Sequence, residues 1–253
     1  MKAFFDWLLS EKNSGLQIGL FDRWHILYLA VVFIGTVLLA VLGAKKPGLK
    51  HKFLHLMAYL TVGLYVIDFF AMPLSDSYGY SISAYKLPFN ICTIMAVLVP
   101  FVQFNSKFAG IKQPVVVLSI ASSLMWMCYP GSALGGQPPF SYIIFQTFMY
   151  HGFLFCWGVL NLAYGEVKLQ FKKIWKEVAG IFMILVWAAF GNAIYDRGYN
   201  WFFIETSIFP FLTDAVMPLA VVASVFGVCL VIYGAYYALR AVCCKTMKAV
   251  ERA

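Results

Sequence analysis

The run HILYLAVVFIGTVLLAVLG, residues 25–43, decides the fold. Nineteen residues pass without an Asp, Glu, Lys or Arg. As a helix rising 1.5 Å per residue, the run is roughly 28 Å long, close to the ~30 Å hydrocarbon core of a bilayer. A membrane-spanning barrel strand would alternate apolar and polar residues over about 10 positions. This run does not alternate, so a transmembrane helix is its reading. Six further continuous apolar runs follow, at about 52–72, 86–104, 113–129, 140–164, 177–195 and 215–240. In lipid every backbone N–H and C=O must find a partner inside the protein, which leaves helices as the spanning elements. The expected fold is an all-α bundle of about seven transmembrane helices, a single integral membrane domain over residues 1–253.

Composition agrees. Of 253 residues, 62% are hydrophobic and 12% charged, against roughly 25% charged in a soluble domain. Mean hydropathy is +0.79. The formal charge of +8 invites a nucleic-acid reading, but the cations sit at the ends of apolar runs and form no basic face on a soluble element, so nucleic acid is excluded as a partner. Lys45, Lys46, Lys50 and Lys52 follow the first run. Lys107 and Lys112 follow the third, Lys168, Lys172, Lys173 and Lys176 the fifth, and Arg240, Lys245, Lys248 and Arg252 the seventh. The alternate loops, about 73–85, 130–139 and 196–214, carry Arg197 alone. That alternation predicts an N-terminus outside, a C-terminus inside and a multi-pass protein of the cell membrane. Residues 1–23 have two readings, an amphipathic segment lying in the interface or a disordered start to the chain.

The outward loops are rich in Gly, Pro, Ser and aromatics, a composition suited equally to lids over a cavity and to an interfacial aromatic belt. In the seventh run Ala220, Ser224, Gly227 and Gly234 recur at helical spacing, which reads as a close-packing stripe. None of the six cysteines stands in a CxxC pair, and no metal or cofactor motif is expected. His51 and His55, four residues apart in a Lys-rich junction, read as interfacial histidines. Cys243 and Cys244 follow the last run on the inner side, where acylation can occur.

A strongly polar residue inside a bilayer is costly and is the first place to look for chemistry. Asp68, Asn90, Cys92, His151 and Asn192 fall on four different runs in the same outer half. Cys92 is roughly 9 Å and His151 roughly 16 Å below the outer face. A thiol beside an imidazole is a nucleophile–base pair, and a carboxylate such as Asp68 could fix the ring's tautomer. A disulfide between Cys92 and Cys128 is the competing reading. Gly152 and Gly158 leave room for an acyl chain along the fifth helix. Gln146 and Asn200 join Asp68, Asn90 and Asn192 as candidates for binding or orienting a substrate.

Three segments carry a resemblance. Leu87-Pro88-Phe89-Asn90-Ile91-Cys92 opens the third run, and Phe148-Met149-Tyr150-His151-Gly152 lies in the fifth. Asn192 with Gly198-Tyr199-Asn200-Trp201-Phe202 closes the sixth. Over roughly residues 50–240 the chain resembles the YwaF-like bacterial membrane proteins, which are similar to the animal transmembrane protein 164, an acyltransferase acting on phospholipids. The resemblance implies an acyl-enzyme thioester on Cys92 with His151 as its base, acting on membrane lipids. It departs at Asn90, where many bacterial relatives carry His. The alternative is a non-enzymatic transporter or small-molecule-binding subunit. The absence of an inverted repeat counts against a transporter.

Overall fold

In the computed structural model the described residues are 4, 17–74, 86–131, 138–195, 200–205 and 212–250, with backbone alone for 243–250. Most of the expected interfacial segment, most of the loops expected to face outward with Arg197, and the Cys243 and Cys244 side chains lie outside them.

Among the described residues the chain is helical and contains no strand: α1 (Arg23–Lys45), α2 (Lys50–Ala71), α3 (Ile91–Phe104), α4 (Lys112–Cys128), α5 (Tyr142–Ala163), α6 (Trp175–Ile194) and α7 (Met217–Val250). Six helices, counting short turns fused to their ends, are long and apolar enough to cross a membrane; α3 is the shorter seventh. At 14 residues, α3 rises only about 21 Å. The sequence places its start at residue 86, and the structure moves it to Ile91. Pro88 disfavours helical geometry at Leu87. Asn90 stands outside the helix as an N-cap, with φ −93° and ψ 151°.

α4 and α5 form the centre. Every residue of α4 from Gln113 to Ser123 is buried, and α1 packs at the periphery with only His25, Val32, Thr36 and Gly43 buried. Those four lie on one helical face, so one stripe meets protein and the rest meets lipid. Both faces are apolar, so small and polar residues distinguish the packing stripe. Tyr164, the C-cap of α5, lies over Gly43, and its hydroxyl donates to the Leu39 carbonyl at 2.7 Å.

The seventh-run stripe is corrected. Ser224 and Gly234 are exposed, and α7 packs through Met217, Val221, Val225, Cys229, Ile232 and Tyr233. A Cβ at Gly227 or Gly234 would meet nothing within 4 Å.

One end of the bundle collects the starts of α1, α3, α5 and α7 and the ends of α2, α4 and α6. There Asp22 caps α1, its carboxylate accepting from the N–H groups of Trp24 and His25 and of Gly19. The adjacent His25 is fully buried. Its Nδ1 accepts from the Phe21 N–H at 2.9 Å. Nε2 must then carry the proton that meets the Met127 carbonyl at 2.8 Å, tying α1 to the end of α4. Partial burial raises the Asp22 carboxyl pKa, but the three N–H donors and His25 outweigh that and hold it below the usual carboxylate value. Asp22→Ala is expected to cost about 1 kcal/mol. A lowered folded pKa gives stability that is present above the unfolded value, near pH 4, and lost as pH falls through the folded value. Thermal unfolding of both proteins in detergent from pH 7 to pH 3 checks this, and their midpoints should converge at the acid end.

Candidate functional site

Asp68 lies one turn from the end of α2, where the sequence places it, and is almost fully buried. Its Oδ2 is ion-paired with the Lys86 ammonium, and its Oδ1 accepts from the Tyr142 hydroxyl at 3.2 Å. Lys86 Nζ also reaches Gln146 Oε1 at 3.5 Å. Gln146 Nε2 donates to the Leu64 carbonyl at 3.1 Å, and its Oε1 accepts from the Thr147 hydroxyl at 3.2 Å. The Tyr65 hydroxyl holds the backbone of Lys86 through its carbonyl, at 2.6 Å. One polar chain therefore joins α2, the turn before α3, and α5. A single buried carboxylate would be prohibitively costly in lipid; paired with Lys86 and hydrogen-bonded on both oxygens, it is tolerated.

His151 lies five residues beyond Gln146 on α5, and it is buried. Its Nδ1 stands 2.8 Å from the Thr147 carbonyl. A carbonyl only accepts, so Nδ1 carries the proton and the neutral ring keeps its lone pair on Nε2. The ring stacks on Trp126 of α4 with centroids 4.0 Å apart and planes 6° from parallel. The Tyr150 ring meets it edge-on at 4.7 Å. The sequence suggests Asp68 as the group that fixes this tautomer. The structure gives that role to Thr147 and gives Asp68 to Lys86 and Tyr142.

Cys92, in the first turn of α3, is buried as a free thiol, and Cys128 is a separate, exposed free thiol. The competing disulfide is not formed. The Ser122 hydroxyl of α4 lies within hydrogen-bonding reach of the Cys92 sulfur. The Tyr150 ring stacks on Tyr65 of α2 with centroids 6.1 Å apart. Tyr150 thus bridges Tyr65 and the imidazole through its ring. The expected acyl passage along α5 is corrected as well. A Cβ at Gly152 would meet the Val32 side chain at 2.6 Å, and one at Gly158 would meet Ile120 at 2.5 Å. Both glycines let helices approach; neither faces open space.

Asn90, Asn192 and Asn200 converge on one short segment, residues 200–205. Asn192 Oδ1 accepts from the Trp201 N–H at 2.8 Å, and its Nδ2 donates to the Trp201 carbonyl at 3.2 Å. Asn90 Oδ1 accepts from the Phe202 N–H at 3.0 Å, and Asn200 Oδ1 from the Glu205 N–H at 2.9 Å. The segment needs these clamps because Asn200, Phe202 and Phe203 have φ of 41°, 58° and 53°, the left-handed region that bulky residues avoid. Trp201 is fully buried and meets Phe89 at 4.8 Å. Phe89 in turn lies against Gly191, where a Cβ would stand 2.5 Å from its ring. Each of the three amides has backbone as a partner.

Sequence reasoning missed Lys86, Tyr142, Thr147, Tyr150, Trp126 and Ser122. Lys86 had a signal, since it is a cation at an end of the bundle where the loops are nearly free of cations. A second buried acid was missed as well. Glu177 of α6 is fully buried toward the opposite, Lys-rich end. Its Oε1 accepts from Gln113 Nε2 at 3.0 Å and from the Tyr233 hydroxyl at 2.9 Å. There too His51 faces Glu166 at 3.9 Å.

A family model described as the TMEM164 family matches residues 20–237, a stretch that includes every residue of the cluster. No curated protein and no solved structure matches the chain. The match covers α1 through most of α7 and agrees with the resemblance carried by the three short segments: the chain belongs to the TMEM164 family.

Proposed function

We propose that this multi-pass membrane protein is a lipid acyltransferase or transacylase, with Cys92 as nucleophile and His151 as base. The observation that carries the reading is the fixed imidazole: Nδ1–H on the Thr147 carbonyl, the ring clamped on Trp126. Its basic Nε2 lies in the same buried core as a free thiol. His151 Nε2 takes the Cys92 proton, and sulfur attacks the ester carbonyl carbon of a lipid. The carbonyl π pair moves to oxygen. When the intermediate collapses, the carbon–oxygen bond to the alcohol breaks, and the leaving alkoxide takes the proton back from Nε2. A thioester on Cys92 and a lysolipid result. An acceptor hydroxyl, deprotonated by the same nitrogen, then attacks the thioester and releases the thiol. Asp68, Gln146 and Lys86 hold the start of α3 and α5 in register, and Asn90, Asn192 and Asn200 fix the loop that covers Phe89. The Lys-poor end that holds the pair faces outward by the charge alternation, so the donor comes from the outer leaflet of the cell membrane.

The test uses the full chain in liposomes containing phosphatidylcholine with an alkyne-bearing acyl chain. Wild type is expected to acquire a label that neutral hydroxylamine removes. Cys92→Ser should abolish that label, and His151→Ala should slow its formation by roughly 100-fold or more. A hydroxylamine-labile label persisting in Cys92→Ser rules the mechanism out. A wild-type chain that binds lipid and never becomes labelled favours the non-enzymatic binding or transport reading.

A further inference from the structure

Tyr150 contains a feature that the Cys–His pair leaves unused. Its side chain is 5% exposed, and its hydroxyl has no hydrogen-bond partner among the described residues. Burying a hydroxyl without a partner is costly. A phenylalanine would fill the same space at no such cost. The ring is held on two sides, stacked on Tyr65 at 6.1 Å and edge-on to His151 at 4.7 Å, so the hydroxyl is aimed and not free to search for a partner. The Tyr65 hydroxyl is already spent on the Lys86 carbonyl.

A fixed donor with no acceptor, edge-on to the imidazole that serves as base, is suited to an acceptor that arrives with the substrate. We infer that the Tyr150 hydroxyl donates a hydrogen bond to the carbonyl oxygen of the lipid ester and stabilises the oxyanion formed when Cys92 attacks. The inference rests on the acyl-transfer reading above and adds one catalytic residue to it. The bookkeeping is simple. Sulfur supplies the electron pair of the new carbon–sulfur bond. The carbonyl π pair becomes the third lone pair of an oxyanion, and Tyr150 donates to it while keeping its own proton. When the oxyanion re-forms the carbonyl, the alcohol leaves with the proton from His151 Nε2. A donor placed where charge develops is worth more inside an apolar core than in water, and losing one such donor typically slows acyl transfer by about 100- to 1,000-fold.

The orphaned hydroxyl also makes the test decisive, because no bond within the protein is lost with it. Tyr150→Phe is compared with wild type and Cys92→Ser in the same liposomes with the alkyne-bearing phosphatidylcholine, alongside thermal unfolding in detergent. The expected result is a label-formation rate about 100- to 1,000-fold lower at saturating lipid. The lipid concentration for half-maximal rate should change little, and the thermal midpoint should be unchanged or higher. Tyr150→Phe labelling at the wild-type rate while Cys92→Ser stays unlabelled overturns the role of Tyr150 alone. A lowered midpoint with proportionate loss of label overturns it too, because the hydroxyl would then be structural. Label persisting in Cys92→Ser, or absent from wild type, overturns the acyl-transfer reading and this inference with it.

Discussion

An Asn192→Ala protein is expected to be less stable than wild type by about 3 kcal/mol, the combined cost of stranding two buried backbone groups. Asn192 satisfies both the N–H and the carbonyl of Trp201. Trp201 is fully buried, and Asn192 itself is only 4% exposed, so water cannot replace the lost amide. The segment also carries three bulky or amide residues at positive φ. That conformation is held against its own preference, and the amide is what satisfies the Trp201 backbone. Asn90→Ala removes one bond, to Phe202, and should cost about 1 kcal/mol. Asn192→Asp keeps an acceptor for the N–H but turns a carboxylate oxygen toward the Trp201 carbonyl, so it should be no better than Ala. Unfolding by SDS titration in mixed micelles gives all three differences. An Asn192→Ala midpoint equal to wild type would mean that the segment is held by its aromatic contacts and that the amide clamp is incidental.

How much of this was legible follows from range. The spans were legible because lipid imposes one demand over about 20 consecutive residues, and runs such as 25–43 meet it without reference to the rest of the chain. The start of α3 was partly legible, since Pro88 and a cap-forming Asn90 both argue against helix before Ile91. The polar cluster was half legible. Asp68, Gln146 and His151 stand out because polar residues in apolar runs are rare. Their partners do not stand out, because each is defined by contact across the bundle: Lys86 with Asp68, Asn90 with Phe202 across 112 residues of chain. Tyr150 could not have been singled out at all. In sequence it is one of 15 tyrosines, and only the packing reveals that its hydroxyl lacks a partner.

Asp68 and Lys86 give the other large effect. Asp68→Asn removes the charge opposite Lys86 and keeps one acceptor oxygen. Taking one member from a buried pair typically costs 3–5 kcal/mol. The Lys86 side chain is 21% exposed and that of Asp68 2%, so the ammonium can extend partly toward the headgroups, and the expected loss is at the lower end, about 3 kcal/mol. Lys86→Met leaves the deeper partner stranded and should cost at least as much. The double variant, Asp68→Asn with Lys86→Met, buries no charge and should lie well above the sum of the single losses, with a coupling of about 2 kcal/mol. Simple additivity in SDS titration would mean that the two side chains do not act as a pair. The same three proteins separate positioning from lipid recognition. If the pair only holds the turn before α3 against α2 and α5, acyl labelling on Cys92 should recover with stability in the double variant. If Lys86 itself meets a lipid phosphate, labelling should stay low when stability returns, because methionine restores the packing of the turn and cannot restore the cation.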